Sequence, residues 1–542
     1  MFDVKIINGT VVDGVSNERY LADIGIEGEY ITAIGDLKDA EAKEIIDATG
    51  KIVSPGFIDT HTHSDVSVLA DPHCSARLHD GVTSEVIANC GIGLAPISDD
   101  RKDDLKKYLS TRLVASIPVE VTLPWNTSKE YFDAVDAAHP CTNIIPLLAQ
   151  GPIRVKTMGF SDAKPTEEQM NQMKADIRQA MEEGCVGMST GLTYMPGAYT
   201  SEEELTELLK EVAPFKGVYT THMRNEGPRV FQCIEESIRT AKNAGVALHI
   251  SHLKLMSPKV YGKTSYLFEM LETAKASGQD VTWDSYPYNA GCTSLGACMP
   301  PWAFEGGVPA LMERLADPEM RKKMTHDIVE GIPGWENFYQ ACGGWENIPI
   351  CCVFTKEAEK YLGMYIADAA RMEGKEPFEF VYDFMLQEQS RIQIITKDAM
   401  NIDDVRYVMG NPYTMIGSDS MSLSTQGLLA VNKPHPRAFG THGRFLGHYI
   451  RDQKIGTLEH GIKRLTSMAA KRFNVEKRGA LKEGYYADIT VFDYDEIIDT
   501  ATFSDSLSYT KGVEHVIVNG KVALRNGVET ESYSGRVLRG GK

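Results

Sequence analysis

The 542-residue chain has no apolar run near the ~20 residues that a helix needs to cross a bilayer. Positive charge is scarce: 56 Lys and Arg against 75 Asp and Glu leave a net charge of −19. Neither nucleic acid nor an anionic membrane surface is therefore an expected partner. Ten cysteines in a chain this long do not make a small-domain disulfide framework, so reduced thiols are expected. The opening Met1-Phe-Asp-Val-Lys-Ile-Ile-Asn8 lacks the basic, apolar and small-residue segments of a secretory leader, and the expected location is the cytoplasm. Repeats, low-complexity tracts and flexible linkers are also missing. What is present is a 42% hydrophobic content, enough for a sizeable core.

The most informative residues are His61 and His63, in Val53-Ser-Pro-Gly-Phe-Ile-Asp-Thr-His-Thr-His-Ser-Asp65. The run reads as a strand, and positions i and i+2 of a strand face the same side, so two imidazoles project together as metal ligands could. Taken alone, the pair reads equally well as polar residues ending an edge strand. Other residues settle the choice. Cys90 ends Thr83-Ser-Glu-Val-Ile-Ala-Asn-Cys90, 29 positions after His61. His222 ends Val218-Tyr-Thr-Thr-His222, His252 ends Val246-Ala-Leu-His-Ile-Ser-His252 thirty positions later, and Asp419 ends Tyr413-Thr-Met-Ile-Gly-Ser-Asp419. A strand, a helix and two turns occupy about that interval. Each candidate thus falls at the carboxyl end of a strand, where parallel α/β barrels build active sites. His249 has opposite parity to His252 and reads as structural.

Strand-like and helical segments alternate through the middle of the chain, which predicts a parallel barrel. Glu167–Met181 is an amphipathic helix with Thr166 as N-cap and Gln169 completing a capping box, and a second helix follows Ser201. Short β-like runs fill residues 1–55 and 479–542, with hairpin signals at Asn8-Gly9 and Asn519-Gly520. Each cluster is too small for a good core alone, so the two are expected to pair into one discontinuous β-sandwich. The expected architecture is α/β: a (β/α)8 barrel of the TIM type over 56–478, flanked by that sandwich. The stretch from about 291 to 405 is too long for a loop and carries Trp302, Trp335 and Trp345. It is expected to be an inserted subdomain beside the active-site mouth.

The chain resembles the amidohydrolase superfamily and, within it, the D-aminoacylase (N-acyl-D-amino-acid deacylase) family. The resemblance is carried by Pro55-Gly-Phe-Ile-Asp-Thr-His-Thr-His-Ser-Asp65, Gly187-Met-Ser-Thr-Gly-Leu-Thr-Tyr-Met-Pro-Gly197 and Thr221-His-Met-Arg-Asn-Glu226. Ile250-Ser-His-Leu-Lys254, Tyr286-Pro-Tyr288, Ile416-Gly-Ser-Asp419 and His435-Pro-Arg437 complete it, in the family's order over nearly the whole chain. It implies zinc-dependent hydrolysis of the amide bond of N-acyl-D-amino acids, small molecules that would be the enzyme's partners. Preference for the D form comes entirely from this resemblance, and nothing in the sequence sets the oligomeric state.

Imidazole, thiolate and carboxylate together favour Zn2+. We assign Cys90, His222 and His252 to the tighter site, and His61, His63 and Asp419 to an adjacent site expected to be weak or empty at low metal. A thiolate at Cys90 is the D-aminoacylase pattern. Many relatives place a carbamylated lysine between two metals instead, so Cys90 counts against the alternative, a cyclic-amide hydrolase of hydantoinase or dihydroorotase type. Asp419 is the expected proton shuttle, although its setting also suits a helix N-cap. The resemblance assigns the substrate carboxylate to Lys254, Tyr286 and Arg437. Three departures leave the preferred amino acid open. Ala149-Gln-Gly-Pro152 replaces a Gly-His-Gly-type run, Met421–Pro434 is long enough to displace Arg437, and Gly440-Thr-His-Gly-Arg444 puts His442 where no role is evident.

Overall fold

The structure is a computed structural model that describes residues 1–113, 117 and 119–540; positions 541 and 542 of the expected C-terminal β segment lie outside it. Strands from both ends of the chain join one nine-stranded sheet. Its seam is Ile52–Pro55 running antiparallel to Ile489–Phe492, with Val53 opposite Val491. Val4, Ile6, Ile24, Val53, Ile489 and Ile517 form a buried core separate from the main one. Ala48, Leu481 and Ala487, from connections outside the strands, complete that core.

The two Asn-Gly signals have different fates. Asn519-Gly520 joins the antiparallel strands Val513–Val518 and Lys521–Arg525 with both residues at positive φ, 48° and 76°, as a tight hairpin requires. Asn8-Gly9 does not turn the chain. It lies inside the ten-residue strand Phe2–Val11, where the register to Tyr20–Glu27 shifts between Ile6 and Gly9. Asn8 takes a φ of 61° and forms a bulge. A β-carbon on Gly9 would lie 2.4 Å from Val53 Cγ2, so continued pairing with the neighbouring strand selects the bulge.

The barrel consists of parallel strands in two arcs. Phe57–Asp59, Val82–Ile87 and Asn143–Pro146 form the first. Leu148–Ala149, Gly187–Gly191, Val218–His222, Ala247–Ile250, Val281–Ser285 and Thr414–Ile416 form the second. Asn143–Pro146 and Leu148–Ala149 are one path interrupted at Leu147, which gives eight strands. The Leu147 amide still donates to the Ile87 carbonyl at 3.3 Å. The ring closes where Thr62 bridges Ser420 in parallel. Helix Glu167–Glu182 begins at Thr166 with the full capping box to Gln169, and Glu202–Leu209 begins at Ser201. No helix among the described residues is long and apolar enough to cross a membrane.

Between the seventh and eighth barrel strands the chain builds a separate three-stranded sheet, with Gln393–Thr396 flanked by Gly291–Ser294 and Ile350–Cys352. Helices including Gly307–Ala316, Pro318–Glu330 and Pro377–Gln387 accompany it, and Trp345 is fully buried there. Strand Gly291–Ser294 faces the barrel mouth, and that placement brings the insertion to the site described next.

Candidate metal centre and active site

Five of the six proposed ligands lie beyond regular strand structure. His222 is the last residue of its strand, whereas Cys90, His252 and Asp419 fall two or three residues past theirs. These three take positive φ values of 55°, 36° and 50°, which non-glycine residues seldom adopt. The sequence pattern cannot show this, because an αL residue leaves no mark on apolar periodicity. From these turns the three side chains converge, their ligand atoms within 4.8 Å of one another. His61 and His63 flank Thr62, whose amide donates to the Val86 carbonyl at 2.9 Å, and both rings face the same side.

Cys90 Sγ lies 3.3 Å from His61 Nε2, 3.3 Å from His252 Nε2 and 3.8 Å from His222 Nδ1. His222 Nδ1 and His252 Nε2 are 2.9 Å apart. Asp419 Oδ1 lies 3.2 Å from His63 Nε2 and 3.5 Å from His61 Nε2. The sulfur therefore touches both expected sets, where the sequence placed it with His222 and His252 alone. Its position follows from the αL turn at Cys90, whose carbonyl packs so closely on Gly191 that a β-carbon there would lie 2.0 Å from it.

The donor set fits a soft or borderline divalent metal. Burial holds His61 and His252 well below the usual imidazole range and His222 down to about 4, so the rings are neutral and their nitrogens can coordinate. Burial also pushes the Cys90 thiol well up, so only a nearby cation would make it a thiolate. For Asp419 burial acts upward, but Arg437, His252 and His63 outweigh it and hold the carboxyl well below its usual range.

Several residues without an assigned role in the sequence hold the rings in place. Asp284 accepts the His252 amide at 2.6 Å and lies 2.8 Å from His249 Nε2, so His249 is tied to the barrel wall. Burial raises Asp284, but the neighbouring histidines and the His252 amide bring it down to about 2. Glu226 Oε1 lies 2.9 Å from His252 Nδ1 and orients that ring. Glu336, from the insertion, accepts the Glu226 amide at 2.6 Å and stands 3.8 Å from His222 Nε2. Glu226 ends the motif Thr221-His-Met-Arg-Asn-Glu226, but no sequence signal marked Glu336, since only folding brings residue 336 to residue 226.

The first and eighth strands meet at the site. Asp419 N donates to His61 O and Ser418 N donates to Asp59 Oδ1, both at 2.8 Å. Gly417 makes this approach possible: a β-carbon there would lie 2.6 Å from His61 Cβ and 2.9 Å from His61 N. We expect Gly417→Ala to cost about 1–3 kcal/mol through overpacking and to displace His61. Thermal melting and metal titration check this; an unchanged Tm with unchanged metal affinity would contradict the close packing.

The three expected carboxylate-binding residues are arranged unequally. Despite the long preceding stretch, Arg437 is not displaced: Nη1 lies 2.8 Å from Asp419 Oδ2, and the guanidinium sits 4.6 Å over the Tyr286 ring. Leu423, Leu429 and Val431 are buried, so the stretch packs as part of the wall. Tyr286 is buried, and its hydroxyl has no hydrogen-bond partner among the described residues. Lys254 turns the other way, with Nζ 2.5 Å from Glu226 Oε2 and 3.0 Å from His252 Nδ1. A buried ammonium needs such a carboxylate, and Lys254 does not line the cleft. The cleft is bounded by His63, Asp419 and Arg437, and also by Arg112, Tyr194 and Ser294, which sequence reasoning missed. His442 lies outside it: Nδ1 is 2.7 Å from Asp80 Oδ2 and the ring stacks on Phe57, a structural lock.

This barrel, with its metal-ligand constellation, defines a hydrolase of the amidohydrolase kind. The chain belongs to the amidohydrolase family, whose model matches residues 44–349 and 354–524. It is 31% identical to a D-aminoacylase of Alcaligenes xylosoxydans xylosoxydans, over 99% of this chain and 97% of the relative. An N-acyl-D-glutamate deacylase of the same organism is likewise 31% identical, over 99% and 96%. The crystal structure of N-acyl-D-glutamate deacylase from Bordetella bronchiseptica, complexed with zinc and a phosphonate inhibitor, superposes with a TM-score of 0.81 at 30% identity, covering 99% of each chain.

Proposed function

We propose that the chain hydrolyses the amide bond of N-acyl-D-amino acids with zinc as its metal, releasing a D-amino acid and a carboxylic acid. The observation that carries this reading is Cys90 Sγ within 3.8 Å of three ring nitrogens, with Asp419 held between His63 and Arg437 beside it. Cys90, His222 and His252 would hold the tighter ion, with His61, His63 and Asp419 beside them and the sulfur in reach of both sets. A zinc ion so held supplies Lewis acidity toward the scissile carbonyl and makes water more acidic.

Asp419 takes the proton of the attacking water and returns it to the departing amine, which must leave neutral. Its ionised form, secured by Arg437, suits the first of these transfers. Arg437 offers a planar fork to the substrate carboxylate, and the unpartnered Tyr286 hydroxyl supplies a further donor behind it. Lys254 acts from behind, holding Glu226 against His252. The D-preference rests on what the relatives are named for.

Zinc-loaded protein offered matched N-acetyl-D- and N-acetyl-L-amino acids, a hydantoin and dihydroorotate tests the reading. Turnover of the linear D substrates is expected; cleavage of the cyclic amides alone would replace it. Arg437→Ala should lower kcat/KM for free-acid substrates by about 30-fold or more, the low end for a carboxylate left without its cation. The corresponding carboxamides should lose less. Equal losses on acids and amides would assign Arg437 to supporting Asp419 alone.

A further inference from the structure

One cation in the cleft has no use in the reaction described above. Arg112 is 9% exposed, and its Nη1 donates to Ser294 Oγ at 2.6 Å. The guanidinium lies 4.6 Å over the Tyr194 ring, and its buried Nε has no hydrogen-bond partner among the described residues. Arg437 is paired with Asp419 and Lys254 with Glu226, whereas Arg112 has no carboxylate partner among the described residues. A buried guanidinium without a counter-charge is costly, and an anionic ligand would offset that cost.

The insertion places this group relative to Arg437. Strand Gly291–Ser294 receives Arg437 Nη2 at the Cys292 carbonyl, 3.3 Å away, and Arg112 at the Ser294 hydroxyl. Two residues of strand separate these anchors by about 6.5 Å. Both guanidinium groups line the same cleft. We propose that Arg112 and Ser294 form a second anion subsite, so that the substrate carries a second carboxylate a few bonds from the one at Arg437. This rests on the deacylase reading above. The second carboxylate belongs either to the amino-acid side chain or to the acyl group, and the geometry at Arg112 serves both alike.

Two substrate pairs distinguish these sources: N-acetyl-D-glutamate against N-acetyl-D-glutamine, and N-succinyl-D-leucine against N-acetyl-D-leucine. In zinc-loaded wild type, the diacid of at least one pair should exceed its monocarboxylate partner in kcat/KM by about 30-fold or more. Arg112→Ala should collapse that ratio toward one, and Arg112→Lys should keep part of it, because it retains charge without the planar fork. The pair that responds identifies the source. A wild-type ratio near one in both pairs overturns the subsite without recourse to any variant, and so does a ratio that survives Arg112→Ala. Hydrolysis of the monocarboxylate D substrates under either result leaves the deacylase reading standing. No turnover of any member overturns that reading, and this inference with it.

Discussion

Asp419→Asn should lower turnover of every amide substrate by about 10²–10⁴-fold, the usual contribution of one general acid–base group. Asparagine preserves size and can still accept from Arg437 through its carbonyl, but it cannot take a proton from water. The substitution also removes the ion pair at 2.8 Å and leaves a buried guanidinium without its counter-charge. Breaking such a pair costs about 3–5 kcal/mol at the upper end, so the melting temperature should fall as well. Metal analysis and circular dichroism on the same sample separate lost chemistry from lost structure. A folded, metal-loaded Asp419→Asn enzyme with near-native kcat would remove Asp419 from the proton path.

Cys90→Ala is expected to strip most of the zinc and, with it, the activity. The sulfur lies within 3.8 Å of ring nitrogens from both expected ligand sets, so its loss weakens both. Cys90→Ser tests the same point with less change in volume, because a hydroxyl remains in the αL turn but binds zinc far less well than a thiolate. Were Cys90 a small buried hydrophobe, either variant would cost packing energy alone and purify with its full metal content. Zinc per chain after dialysis decides between these outcomes.

The candidate ligands were legible because strands impose a period. His61 and His63 share a face by parity, and the near-equal intervals from His61 to Cys90 and from His222 to His252 reflect one strand–helix unit each. The same local logic reached Thr166 with Gln169 as a capping box and Asn519-Gly520 as a hairpin. It failed at Asn8-Gly9, where the dipeptide carries the same αL preference but pairing with adjacent strands absorbs it as a bulge.

Sequence by itself therefore pointed to the barrel class and to the candidate metal ligands, which rest on periodicity and strand–helix spacing, and through the family resemblance to Asp419 as candidate base. Tertiary structure alone decided that Cys90 stands between both ligand sets, that Lys254 is committed to Glu226, and that Arg437 is paired with Asp419. It also decided that Glu336 and Arg112 reach the site at all. These contacts join residues up to 182 positions apart, as with Arg112 and Ser294. No pattern along the chain encodes such a distance; closure of the barrel and docking of the insertion do.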